Sequence, residues 1–211
     1  MNVLSPPAET RVILYGVSWS TYQALLADLG DHRGRLTYDR GTLEIMSPSE
    51  EHEGRKRLIG RFIEVFTEER NIDIKSMSST TLQSELKERG HEPDESYYIQ
   101  NEPVVRGKLV DLNRDPPPDL AIEIDVRRSG IDRMGLYAAL GVPEVWVHDG
   151  KALGVHLLKE DGHYEVSETS AALPQLTMAE LMRFLDLHGS LSETALVRSF
   201  RAWVRERFGT A

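Results

Sequence analysis

Pro116-Pro117-Pro118-Asp119-Leu120-Ala121-Ile122-Glu123-Ile124-Asp125-Val126 reads as a β-strand opened by prolines and interrupted by acids. Leu, Ile and Val in this density belong in a core. Carboxylates placed among them are costly unless they are paired, hydrated or bound to a cation. Side chains alternate across a strand at roughly 3.3 Å per residue, so Glu123 and Asp125 share a face about 6–7 Å apart. Asp119 lies on that face too, but about 13 Å from Glu123. The strand therefore carries acids that have a chemical reason to be there, and Asp119 and Glu123 do not share one ion.

A second Pro-Asp pair opens another apolar run upstream, Glu92-Pro93-Asp94-Glu95-Ser96-Tyr97-Tyr98-Ile99. If the two strands pair antiparallel, the start of the first lies beside the end of the second. Asp94 then meets Glu123 and Asp125, and Asp119 is left at the far end. Such a cluster of hard oxygen donors suits Mg²⁺ or Mn²⁺, ions that hold phosphate oxygens and activate water.

The rest of the chain supplies a frame for these strands. Residues 1–17 read as a loose lead-in with Pro6, Pro7 and the apolar run Val12-Ile13-Leu14. Tyr22, Leu25, Leu26 and Leu29 have helical spacing, with Ser18 or Ser20 as cap and Gly30 as stop. Residues 35–46 alternate on either side of Asp39-Arg40-Gly41, the pattern of a hairpin. A long helix follows Ser47-Pro48-Ser49, burying Leu58, Ile59, Phe62, Ile63, Val65 and Phe66. Residues 72–77 alternate like a strand, and a polar connection leads from there to Asp94. A short helix over 131–140 ends at Gly141, strands are expected at 144–149, 155–158 and 163–166, and two helices close the chain, the last over 193–208. This order predicts an α/β fold with a central mixed sheet flanked by helices. One domain over 1–176 and a helical extension over 177–211, packed on it or at a dimer contact, account for the length.

Composition narrows the function. The 211 residues include no cysteine, which removes disulfides, Cys-ligated zinc and thiol nucleophiles. No apolar run has the roughly 20 residues of a spanning helix, and the N-terminus lacks a signal-peptide core, so a cytoplasmic protein without membrane contact is expected. The formal net charge is −9, opposite to the balance usual where affinity rests on covering phosphates. An acidic centre neutralised by metal accounts for part of it.

Four blocks resemble the Uma family of nucleases, within the PD-(D/E)XK, or restriction-endonuclease-like, superfamily. They are Gly41-Thr42-Leu43-Glu44-Ile45-Met46-Ser47-Pro48 with His52, then residues 92–99, then 117–125, then Leu136-Tyr137-Ala138-Ala139-Leu140-Gly141-Val142-Pro143-Glu144-Val145-Trp146. The resemblance implies a Mg²⁺-dependent (or Mn²⁺-dependent) endonuclease acting on DNA, and one centre per strand makes a homodimer the expected form. It implies Asp94 and Glu123 as metal-holding catalytic acids, with Glu53 as an added acid of the metal shell beside His52. The superfamily lysine falls two residues after Glu123, where this chain has Asp125. Relatives that take the lysine from the next helix, four residues before the tyrosine matching Tyr137, have it where this chain has Arg133. An arginine steadies phosphate but does not act as a base.

Plainer readings stand beside each of these. Asp94 and Asp119 after prolines are ordinary turn chemistry, and Asp125 marks an edge strand or pairs with Arg127 or Arg128. His52 and Glu53 begin a solvated helix. Arg133 and Tyr137, at i and i+4, make a structural contact. The rival functions are a module that kept a nuclease fold and lost the chemistry, and a metal-dependent hydrolase of smaller phosphate esters.

Overall fold

A computed structural model describes residues 10–30, 34–124 and 129–209. Its chain forms two sheets. The first is antiparallel and contains β1 (Thr10–Tyr15), β2 (Arg35–Asp39), β3 (Thr42–Ser47), β5 (Leu82–Ser84) and β6 (Arg89–His91), in the order β1-β3-β2-β6-β5. Its central hairpin turns at Arg40 and Gly41, both with positive φ (42° and 96°), the type I′ geometry that matches strand twist. On one face lies α1 (Trp19–Leu29), capped by Ser18 and stopped at Gly30. Its Tyr22 stacks on Tyr38, with ring centroids 5.0 Å apart. Gly90 is required here, because a Cβ at that position would come within 2.1 Å of the Tyr22 hydroxyl.

The second sheet is mixed. It contains β4 (Lys75–Ser76), β7 (Glu95–Tyr98), β8 (Leu120–Ile124), β9 (Glu144–His148), β10 (Leu153–Leu158) and β11 (Tyr164–Ser167), ordered β11-β10-β9-β8-β7-β4. All neighbours are antiparallel except β8 and β9, which run parallel through the crossover helix α4 (Arg133–Leu140). One face of this sheet is covered by α2 (Glu50–Glu69), α5 (Met178–Leu185) and α6 (Glu193–Phe208). There Leu120, Ile122 and Ile124 meet Phe62, Phe66, Phe184 and Phe200. The other face, carrying Ala121 and Val145, packs on Leu136, Tyr137 and Leu140 of α4, with Leu82 of the first sheet beside them. Helix α4 is thus wedged between the sheets. A short helix, α3 (Glu102–Val105), completes the elements.

Helices α5 and α6 share one core with α2, and Phe62 lies 4.6 Å from Phe200, centroid to centroid. Arg201 and Arg205 of α6 reach back to Glu68 and Glu69 of α2.

Four sequence expectations need correction. The Val12-Ile13-Leu14 stretch belongs to strand β1, not to a loose lead-in. Val12 and Leu14 are exposed on an edge strand, so no buried face advertises it. The polar connection before Asp94 contains the β5–β6 hairpin, whose strands of three residues are too short to show a period. The strand expected over 72–77 shrinks to Lys75–Ser76. The 35–46 hairpin belongs to a separate antiparallel sheet and not to the central mixed one.

Candidate active site

Strand β7 pairs antiparallel with β8, Glu95 opposite Ile122 and Tyr97 opposite Leu120. Continued one residue, that register sets Asp94 opposite Glu123. Asp94 Oδ2 accepts the backbone N–H of Ile124 at 2.7 Å, which fixes it at that end of the sheet. Alternation in β8 turns Glu123 to the side of Ala121, toward α4. Both carboxylates are buried, with 1% of Asp94 and 2% of Glu123 exposed.

Asp94 Oδ1 is held from two directions. His52, buried in the first turn of α2, hydrogen-bonds to it through Nε2 at 2.7 Å. Arg35, at the start of β2, forms a salt bridge with the same oxygen. Arg35 also pairs with Glu53, and Glu53 in turn lies 3.4 Å from Lys56 Nζ.

Glu123 is held by α4 and by the first sheet. Tyr137 donates its hydroxyl to Oε1 at 2.5 Å, and His91 Nε2 lies 2.5 Å from the same oxygen. Arg133 donates to Oε2 at 3.2 Å. The other arm of Arg133 reaches Glu44 Oε1 at 2.7 Å, and Glu44 is held in addition by Arg11 at 2.7 Å and by the Gly130 N–H at 2.8 Å. His91 Nδ1 lies 2.9 Å from the Thr37 hydroxyl. Nε2 faces the Glu123 carboxylate as a donor, and Nδ1 shares a hydrogen bond with the Thr37 hydroxyl.

These contacts set the electrostatics. Burial pushes the Glu123 carboxyl up, but Arg133, His91 and Tyr137 outweigh it and bring it down to about 2. Glu44 follows the same pattern: burial raises it, while Gly130, Arg133 and Arg11 pull it below the usual range. Burial, with Arg133 beside it, lowers His91 from 6.5 against the opposing pull of Glu123. Burial among these groups carries the Tyr137 hydroxyl well above its ordinary range, so it stays a donor.

A stability profile follows from these shifts. The unfolded chain takes up a proton near pH 6.5 that folded His91 refuses, so His91 contributes stability above that pH which is lost as the pH falls. Below about 4.5, Glu123 adds a second loss, continuing toward pH 2. Urea unfolding measured from pH 8 to 5 is expected to show a slope in the wild type that His91→Asn reduces. Equal slopes in the two proteins would refute this assignment.

The remaining expected site residues are placed as follows. Asp119 is at the opposite end of β8. It accepts from the N–H groups of Ile99 (2.7 Å) and Asn101 (2.9 Å) and from the Asn101 amide (2.6 Å), which ties a turn. Asp119→Ala is therefore expected to cost about 1–3 kcal/mol in urea unfolding. An unchanged unfolding midpoint would contradict that. Glu53 reaches Asp94 only through Arg35. Asp125, with Arg127 and Arg128, lies outside the described residues. Sequence reading passed over Arg35, His91 and Glu44 as site residues. Glu44 had a visible signal, an acid inside the apolar run of a hairpin. Arg35 and His91 had none.

A divalent cation needs oxygens with lone pairs to spare. Asp94 Oδ2 and Glu123 Oε2 each take one hydrogen bond, which leaves each able to accept again. Two carboxylates with water filling the other positions is the arrangement Mg²⁺ favours, so this pair of donors fits it. Among the described residues no three acids or histidines converge to wrap an ion.

The sequence profile of the Uma2 family, described as "Putative restriction endonuclease", matches residues 19–192. The chain belongs to the Uma2 family. A solved structure from Anabaena variabilis, described as a putative nuclease belonging to DUF820, is similar in fold to this Uma2 protein. The TM-score is 0.55 at 14% identity, over 79% of this chain and 98% of that one. The fold is restriction-endonuclease-like. No curated protein matches this Uma2 chain in sequence. No helix among its described residues is long and apolar enough to cross a membrane.

Proposed function

We propose that this Uma2 protein is a metal-dependent endonuclease that hydrolyses phosphodiester bonds in DNA, with Asp94 and Glu123 at its centre. The observation that carries this reading is the placement of the two buried acids side by side at one end of paired strands, each fixed by a separate set of donors. Asp94 and Glu123 would hold Mg²⁺ or Mn²⁺, which when bound supplies positive charge to a phosphate oxygen and acidifies a water. His52 and the Ile124 N–H fix the Asp94 carboxylate. Tyr137 and His91 fix that of Glu123. Arg133 carries a permanent charge beside Glu123, which suits it to steady the scissile phosphate and not to take a proton. Two centres acting on opposite strands make a homodimer part of this reading, and the cytoplasm its location.

The test is conversion of supercoiled plasmid to open circles with Mg²⁺, with Mn²⁺ and with excess chelator. Nicking that depends on the metal supports the reading. A second reading, a nuclease-fold module without turnover, is favoured by the burial of both acids and their pairing with arginines. Metal binding without nicking of plasmid or of small phosphodiesters would select it.

A further inference from the structure

The two arginines of the site are bound in the same way. Arg35 bridges Asp94 and Glu53, and Arg133 bridges Glu123 and Glu44. In each case one carboxylate belongs to the proposed centre and the other lies outside it. Without a metal ion, two buried acids at neighbouring register positions would lose their hydration with nothing to offset it. The guanidiniums supply that offset. They are also charges that an arriving cation must oppose, since like charges at close range repel.

We infer that Arg35 is a positioning residue that serves as a built-in counter-cation for Asp94 and is handed over to Glu53 when the divalent ion binds. This rests on the reading of Asp94 and Glu123 as the metal-holding pair. Three observations support it. Arg35 already contacts both acceptors, so no new partner has to be found. Glu53 has 44% of its side chain exposed, so it can take a full charge pair at the rim without the burial cost that Asp94 carries. His52 and the Ile124 N–H remain on Asp94 when Arg35 leaves, so the carboxylate keeps its orientation. In this account Glu53 acts on the metal only through Arg35.

Calorimetric Mn²⁺ binding to the purified full-length protein tests it by a double-mutant cycle. Arg35→Gln keeps a hydrogen-bond donor near Asp94 and removes the charge. Mn²⁺ is expected to bind on the order of tenfold more tightly. Glu53→Gln removes the outer acceptor, so Arg35 stays on Asp94 and Mn²⁺ binds more weakly. In the Arg35→Gln background, Glu53→Gln has no further effect. Should Arg35→Gln fail to fold, Arg35→Lys replaces it, because one ammonium on a shorter reach does not bridge both acids and the Glu53→Gln effect disappears there too.

Unchanged or weaker Mn²⁺ binding in folded Arg35→Gln overturns the hand-over, as does a Glu53→Gln effect that persists without Arg35. Either result leaves Asp94 and Glu123 as the centre. Absence of Mn²⁺ binding in the wild type and in every variant overturns the metal reading of the site, and this inference with it.

Discussion

Glu123→Gln is expected to lower plasmid nicking by on the order of a thousandfold, the scale on which preorganised charged groups act in enclosed sites, while the protein remains folded. The substitution keeps the length and planarity of the side chain. Its amide oxygen still accepts from Tyr137, and Arg133 keeps Glu44 as a partner at 2.7 Å. What disappears is a full negative charge that the surroundings hold ionised down to about pH 2. Time courses of supercoiled plasmid, read beside circular dichroism, separate loss of chemistry from loss of structure. Nicking within tenfold of the wild type by a folded Glu123→Gln protein would remove Glu123 from the mechanism.

Arg133→Met should destabilise the fold by about 3–5 kcal/mol, the cost of breaking a buried ion pair from one side. Met keeps the apolar stem of Arg and removes the charged fork. The effect comes from Glu123, left without its guanidinium, and from Glu44, fully buried and reduced to Arg11 and local donors. Chemical denaturation measures it directly. Adding Glu123→Gln to Arg133→Met should recover part of the loss, because the second change removes a charge the first left unpaired. A cost under about 1 kcal/mol would show that water enters and screens the network.

Much of the fold was legible because its signals are local. Helix α1 had a capping serine, a 3–4 spacing of apolar residues and a stop at Gly30, and α6 began and ended where its pattern did. The antiparallel β7–β8 pairing was accessible by a chemical argument, since only that arrangement brings Asp94 beside Glu123 and leaves Asp119 at the other end. What stayed hidden depends on contacts between distant segments. Arg35 and Asp94 are 59 positions apart, and no spacing rule connects an arginine at a strand start to that acid. His91 sits on a three-residue strand whose neighbours, Gly90 and Glu92, carry no pattern. The separate antiparallel sheet was missed for the same reason, because its β5–β6 hairpin identifies itself only through its partners. Glu53 was read at the start of the long helix, where it lies, while its pairing with Arg35 across 18 positions had no local signal.

The packing of α6 on α2 has a consequence for how the protein is made. Phe62 rests on Phe200, and the Glu69–Arg201 pair joins residues 132 positions apart. At a synthesis rate of roughly 5–20 residues per second, the apolar face of α2 waits on the order of ten seconds for the helix that covers it. During that interval the strands of the six-stranded sheet can pair, but the hydrophobic layer behind them is incomplete. Burial of this face therefore waits until α6 has followed the strands of both sheets out of the ribosome.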